Sequence, residues 1–184
     1  MPASLQPTLW RTCRVLANRT RLNIFALLAR DSPQTVSSVA LRLGLPLPVA
    51  SQALRALEAR GLLSVRRVGR RVEYRVRAAG SDPGYPLANP LRLALRREPA
   101  AVEAIFRLCT AFTHPRRIEI FRALTAERRT WSQLRAVTRI PGPSLLRHLG
   151  KLNARGFVIS RLGIYSAISP EDTFGRALAR LAGS

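Results

Sequence analysis

Val36-Ser-Ser-Val-Ala-Leu-Arg-Leu-Gly-Leu-Pro-Leu-Pro-Val-Ala-Ser-Gln-Ala-Leu-Arg-Ala-Leu-Glu-Ala-Arg-Gly61 is the stretch on which the fold turns. Val36, Val39, Ala40 and Leu43 recur at i, i+3, i+4 and i+7, the spacing of one buried helical face. Gly44 follows at once, and a glycine there ends a helix in the left-handed conformation without a side-chain clash. Leu45-Pro-Leu47 then makes a turn too short for anything but two helices in contact. A second helix starts at Pro48, a residue suited to a first turn because its missing N–H has no partner there anyway. Ala50, Ala53, Leu54 and Leu57 form its inward stripe, and Gly61 stops it.

Upstream, residues 8–17 read as a helix carrying Leu9, Cys13, Leu16 and Ala17 on one side. Residues 19–29 read as another, burying Leu22, Phe25 and Leu28, before Asp31-Ser-Pro-Gln34 breaks the pattern. Downstream the period changes to two. Leu63 and Val65 alternate with Ser64 and Arg66, the chain turns near Gly69, and Val72, Tyr74 and Val76 alternate with Arg71, Glu73 and Arg75 on the return. Helix, short helix, tight turn, helix and hairpin is the order of a winged helix-turn-helix. The expected class is mainly α with small β-hairpin wings.

The chain then repeats itself. Leu16-Ala-Asn-Arg-Thr-Arg-Leu-Asn-Ile-Phe25 matches Phe112-Thr-His-Pro-Arg-Arg-Ile-Glu-Ile-Phe121, with Arg21 over Arg117 and Cys13 over Cys109. Further on, Leu54-Arg-Ala-Leu-Glu-Ala-Arg-Gly-Leu62 matches Leu149-Gly-Lys-Leu-Asn-Ala-Arg-Gly-Phe157. Such internal similarity signals a duplicated unit. In the second copy, 115–126 is the counterpart helix burying Ile118, Phe121 and Leu124. Thr130-Trp-Ser-Gln133 is a capping-box pattern with Trp131 and Leu134 inward. Residues 143–155 form the helix after the turn, and 157–168 a shorter hairpin turning at Leu162-Gly163. Two tandem winged helix-turn-helix domains are expected, at 1–80 and 98–184. The linker at 81–97 overlaps a breaker-rich join at 78–86. Beyond it, Leu91, Leu93 and Leu95 with Arg92, Arg96 and Arg97 are expected to form a short helix leading into the second unit.

The charge is lopsided. Lys and Arg number 31 against 10 Asp and Glu, a formal net charge of +21, and Lys151 is the only lysine. Arginine preference follows from codon usage, but the scarcity of acids does not. Self-repulsion of this size points to a polyanionic partner, and double-stranded DNA fits it better than a membrane surface. No apolar run approaches a membrane span and the start lacks a secretory pattern, so a cytoplasmic location is expected.

In this motif the helix after the turn presents its N-terminal residues to base edges in the major groove. Ser51, Gln52 and Arg55 point away from the inward stripe, and Pro48 and Val49 form the leading edge. Gln suits adenine, Arg suits guanine, and Ser suits a base or a phosphate. On the second helix of this kind Ser144, Arg147 and Lys151 share one face, and His148 flanks it. Arg66, Arg67, Arg70 and Arg71 load the first wing for phosphates or a minor groove. The second wing is shorter and keeps only Arg161. The first unit is therefore expected to be the stronger reader.

The sequence from Leu16 to Phe25, the run from Val49 to Leu63 and the Arg66-Arg-Val-Gly-Arg-Arg-Val-Glu-Tyr74 wing resemble the ArsR/SmtB-type repressors. The match covers about 9–76, and more weakly 105–168. Members of that family are commonly single units that dimerise on a palindromic operator. The resemblance implies a transcription regulator, here an internal pseudo-dimer packed through 8–17 and 98–111, with a further homodimer left open. The family's metal sensors carry cysteines on the short third helix. Val36-Ser-Ser-Val-Ala-Leu41 has none, so no metal and no cofactor are expected. Cys13 and Cys109 have two readings, core packing or a redox or soft-metal pair. No phosphate loop, His/Cys cluster or Ser-His-Asp arrangement points to an enzyme. The competing function is nonspecific architectural DNA binding or a scaffold.

Overall fold

A computed structural model describes residues 8–77, 86–98 and 100–184. The chain divides into two compact units, one built on Val15–Phe106 and the other on Leu9–Arg14 with Arg107–Ser184. Helix α1 (Leu9–Leu16) thus contributes its first residues to the second unit.

The first unit is organised around α2 (Arg19–Arg30), whose start is capped by the Asn18 side chain accepting from Arg21 N–H at 2.9 Å. Leu22 and the run Ile24 to Leu28 are all buried, so α2 is covered on nearly every side. After it come β1 (Gln34–Thr35), α3 (Val36–Leu43), α4 (Leu47–Glu58), β2 (Leu63–Val68) and β3 (Arg71–Val76). The Thr35 hydroxyl caps α3 by accepting from Ser38 N–H at 3.2 Å, and Gly44 closes it at φ 61°, as the spacing predicts. The strands form one antiparallel sheet in the order β1-β3-β2, with Tyr74 paired to Gln34 on one side and Val65 on the other. The two-residue strand β1 was not legible in the sequence. Helix α5 (Ala88–Arg97) packs on α2 and buries Leu91 and Leu95. Most of the stretch read as linker is therefore part of the first unit's core. Residues 78–85, the breaker-rich join, lie outside the described residues. The unit ends within α6 (Ala101–Ala111), where Arg19 makes a two-pronged ion pair with Glu103 (2.8 and 2.9 Å) and lies over the Phe106 ring.

The second unit repeats the element order: α7 (Pro115–Ala126), β4 (Arg129–Thr130), α8 (Trp131–Thr138), α9 (Gly142–Asn153), β5 (Val158–Arg161) and β6 (Ile164–Ala167). Its core holds an edge-to-face cluster of Phe112, Phe121 and Phe157, with ring centroids 4.7 to 6.0 Å apart. Thr130 and Gln133 close the expected capping box at the start of α8. Helix α8 ends at Arg139 in the left-handed conformation (φ 53°), where its counterpart in the first unit has Gly44. A final helix, α10 (Thr173–Gly183), packs on α7 through Phe174, Ala177, Leu178 and Ala182. Asp172 caps it, accepting from Gly175 N–H at 2.6 Å. The sequence reading assigned no helix to this tail. Its apolar spacing at i, i+3, i+4 and i+8 was the available signal.

Candidate nucleic-acid interface

Each unit leaves one face of its post-turn helix uncovered, and the two faces differ. On α4 the buried stripe is Ala50, Ala53, Leu54 and Leu57, which packs against α2 and α3. Pro48, Val49, Gln52 and Arg55 are exposed on the other side, and Ser51 is half-buried at the margin. The side chains expected to read bases thus share one solvent-facing surface, with apolar Leu47 and Val49 at its leading edge.

Beside α4 the β2–β3 hairpin runs in full register to Val68 and Arg71, leaving a two-residue turn of Gly69 and Arg70. Gly69 has φ 58°, and a glycine first in such a turn matches the right-handed twist of the strands. Arg66, Arg67, Arg70 and Arg71 are all exposed at this end. None of the four forms an ion pair among the described residues; nearby, Glu73 pairs with Arg75 at 3.6 Å. The wing tip is a concentration of cations, of which these four form no ion pair among the described residues.

Tyr74 sits in the central strand with 5% exposure, near the charged side chains of Arg55 and Glu58 on α4. Burial pushes the phenol up, the nearby Glu58 carboxylate adds to that, and Arg55 opposes both. Sequence reasoning placed Tyr74 only in the alternation of the strand.

In the second unit α9 buries Leu145, Leu149, Leu152 and also His148, leaving Arg147 and Lys151 exposed and Ser144 half-buried. The reading of His148 as a flanking contact is therefore corrected. Its exposure is 6%, and its ring lies 4.8 Å from that of His114, centroid to centroid. His114 in turn caps α7, its Nδ1 accepting from Arg116 N–H at 3.2 Å. Burial first, then His114 and the surrounding arginines, lower the His148 imidazole to about 4, so it is neutral near pH 7. The signal was present in the sequence: His148 falls between Leu145 and Leu152 at helical spacing, on the buried stripe. The hairpin here has four-residue strands and a tip at Leu162-Gly163, with Arg161 as its exposed cation.

Cys13 and Cys109, matched in the repeat, do meet. Both are fully buried free thiols in the second unit, close enough that Cys13 acts on the Cys109 thiol. Burial first, then the neighbouring Cys13, push the Cys109 thiol well up, which disfavours its thiolate. Arg117, also buried, donates from its guanidinium to the Thr113 hydroxyl. Among the described residues no three His, Cys, Asp or Glu side chains gather in a metal-binding group, and no helix is long and apolar enough to cross a membrane.

Residues 16–66, from the end of α1 through α4 into β2, match a family model described as a helix-turn-helix domain. The chain is also similar to the HTH-type transcriptional regulator Rv0324 of Mycobacterium tuberculosis, 40% identical over 80 residues. That match covers 44% of this chain and 34% of the relative, so only about a third of the relative's length is spanned. No solved structure matches the chain.

Proposed function

We propose that this chain is a non-enzymatic, sequence-specific DNA-binding transcription regulator of the ArsR type, acting as a repressor in the cytoplasm. Its two units are winged helix-turn-helix readers working together as an internal pseudo-dimer on double-stranded DNA. The observation that carries this reading is the outward face of α4, where Pro48, Val49, Gln52 and Arg55 stand exposed beside a wing tip of four arginines. Polar side chains on a helix that fits a major groove supply base discrimination, and cations beside it supply phosphate affinity. The helix-turn-helix match to 16–66 and the regulator named as a relative support the same reading. Ser51 contributes from the margin of that face. Arg147 and Lys151, with Ser144, contribute phosphate contacts from the second unit, which is the weaker reader because His148 is turned inward. Association of two chains would extend the contact to a longer operator.

Selection from a randomised duplex pool, followed by titration of the enriched and a scrambled duplex, tests this. Gln52→Ala is expected to weaken the enriched duplex by about 10-fold, with little change on the scrambled one. Arg70→Ala is expected to weaken both and to flatten the salt dependence by about one unit of slope. Equal affinity for every duplex, with no sequence enriched, would instead establish the architectural reading that the net charge of +21 by itself also fits.

A further inference from the structure

Helices α4 and α9 correspond residue for residue. Each has 12 residues, follows a proline and carries another proline at its second position. Under one constant shift along the chain their buried stripes coincide, Ala50, Ala53, Leu54 and Leu57 falling on Leu145, His148, Leu149 and Leu152. The outward faces are therefore in register too, and there they diverge. Pro48 falls on Pro143, Ser51 on Leu146, Gln52 on Arg147 and Arg55 on Gly150. Pro143, Leu146, Arg147, Gly150 and Lys151 are all exposed. Positions 143, 146 and 150 stand at i, i+3 and i+7, on one side of the helix. The strip that holds Ser51 and Arg55 in the first unit is thus apolar and small in the second, with Arg147 and Lys151 along its flank.

Two features of that strip run against the stability of the chain alone. Leu146 leaves 54% of its surface in water. Gly150 sits inside a helix, where glycine is worse than alanine, yet no packing demands it: an added Cβ would meet nothing within 4 Å. A glycine kept where alanine would fit leaves a recess through which another molecule's surface can approach the helix backbone.

From this divergence we propose that Leu146 is a base contact, packed on the C5 methyl group of a thymine, and that Gly150 clears the surface for close approach of the duplex. The two units then read unlike half-sites. The proposal rests on the reading of α4 and α9 as DNA-reading helices. Thymine is the base that offers an apolar group in the major groove, so it is the base an exposed leucine can distinguish. Duplex DNA is favoured as the occupant of this face over a second copy of the chain by charge. Arg147 and Lys151 border the strip and the chain carries +21, so a second copy would bring like charge to like. In the first half-site the polar donors and acceptors of Ser51, Gln52 and Arg55 discriminate through hydrogen bonds. In the second, Arg147 and Lys151 hold phosphates while Leu146 discriminates through a methyl contact.

The test uses the full chain and the duplex enriched from the randomised pool, which is expected to contain two unlike halves. Each thymine is replaced in turn by uracil, which keeps the pairing edge and removes only the methyl group. At one or more thymines of one half, wild type is expected to lose about 3- to 5-fold, the worth of one buried methyl. Leu146→Ala is expected to show that loss on the thymine duplex and no further loss on the uracil duplex. Losses at thymines of the other half are expected to be the same in both proteins. Thermal unfolding of Leu146→Ala without DNA is expected to follow the wild-type curve, since the side chain is exposed. Gly150→Ala is expected to raise the unfolding midpoint. The same variant is expected to weaken the enriched duplex by about 3-fold or more, since a methyl group that holds the duplex away costs at least what a methyl contact contributes.

Two identical halves in the enriched duplex, or a uracil loss that persists in full in Leu146→Ala, would overturn the methyl contact while sequence-specific binding stands. Unchanged binding by Gly150→Ala would overturn the close approach. If Leu146→Ala binds every duplex as wild type does but sediments as a smaller species, the leucine belongs to a contact between copies and the proposal fails. If no duplex is enriched at all, the proposal and the DNA-reading function fall together.

Discussion

His148 shows how one residue can change sides. Its polarity reads as surface and its position reads as core, and position wins because Leu145, Leu149 and Leu152 on the same stripe are buried with it. The cost appears in acid. The unfolded chain protonates this imidazole below about pH 6.5, whereas the folded chain holds it neutral down to about 4. The unfolded state therefore binds the extra proton first, and stability is lost as pH falls through that window. A displacement of this size corresponds to a loss of about 2–3 kcal/mol by pH 4. Denaturant unfolding of wild type and His148→Leu at pH 7, 5.5 and 4 checks it. The wild type is expected to lose that much more than the variant across the range, and parallel losses would show that the imidazole is not what titrates. The buried thiols follow the same logic without a charge: each is fully enclosed and packs as a small apolar group.

At the scale of elements, the two hairpins show what a turn demands. The first has a glycine where the backbone needs a positive φ. The second has Leu162 at φ 50° followed by Gly163 at φ 75°, the pattern of a turn in which both central residues are left-handed. A leucine there bears a penalty of about 1 kcal/mol, and Leu162 is fully exposed, so no packing offsets it. Leu162→Asn makes the favoured Asn-Gly pair and is expected to raise stability by up to about 1 kcal/mol, read from the midpoint of chemical unfolding. An unchanged midpoint would mean that the tip relaxes to another turn. Most elements were legible because their signals are local: Gly44 after a four-residue apolar period, the Thr130–Gln133 capping box, and the alternation from Leu63 to Val76. The two-residue strands β1 and β4 were not, because such a strand has no period of its own and exists only through its partner in the sheet. Helix α5 was read as a short piece of linker, since the burial of Leu91 and Leu95 depends on α2 being there to receive them.

For the whole molecule the governing quantity is charge. The ion pairs among the described residues involve Arg19, Arg42, Arg75 and Arg129, all at partly exposed positions where each contributes little. A net charge of +21 therefore stays largely uncompensated, and binding to DNA is expected to release many counterions. Replacing Arg66, Arg67, Arg70 and Arg71 together by Ser is expected to reduce the slope of log affinity against log salt by about 3 to 4. A slope that changes by less than one would place the phosphate contacts elsewhere than the wing.

From the sequence alone came the order of helices and hairpin in each unit and the excess of cations, because each is carried by residue type and spacing along the chain. Tertiary structure decided which of the polar residues face water. Ser51 and Ser144 lie at margins, His148 points inward, and Tyr74 is buried in the central strand. Periodicity specifies which face of a helix is apolar, but how wide that face becomes depends on what is packed against it. A contact between a strand and a helix leaves no trace in the spacing of either one.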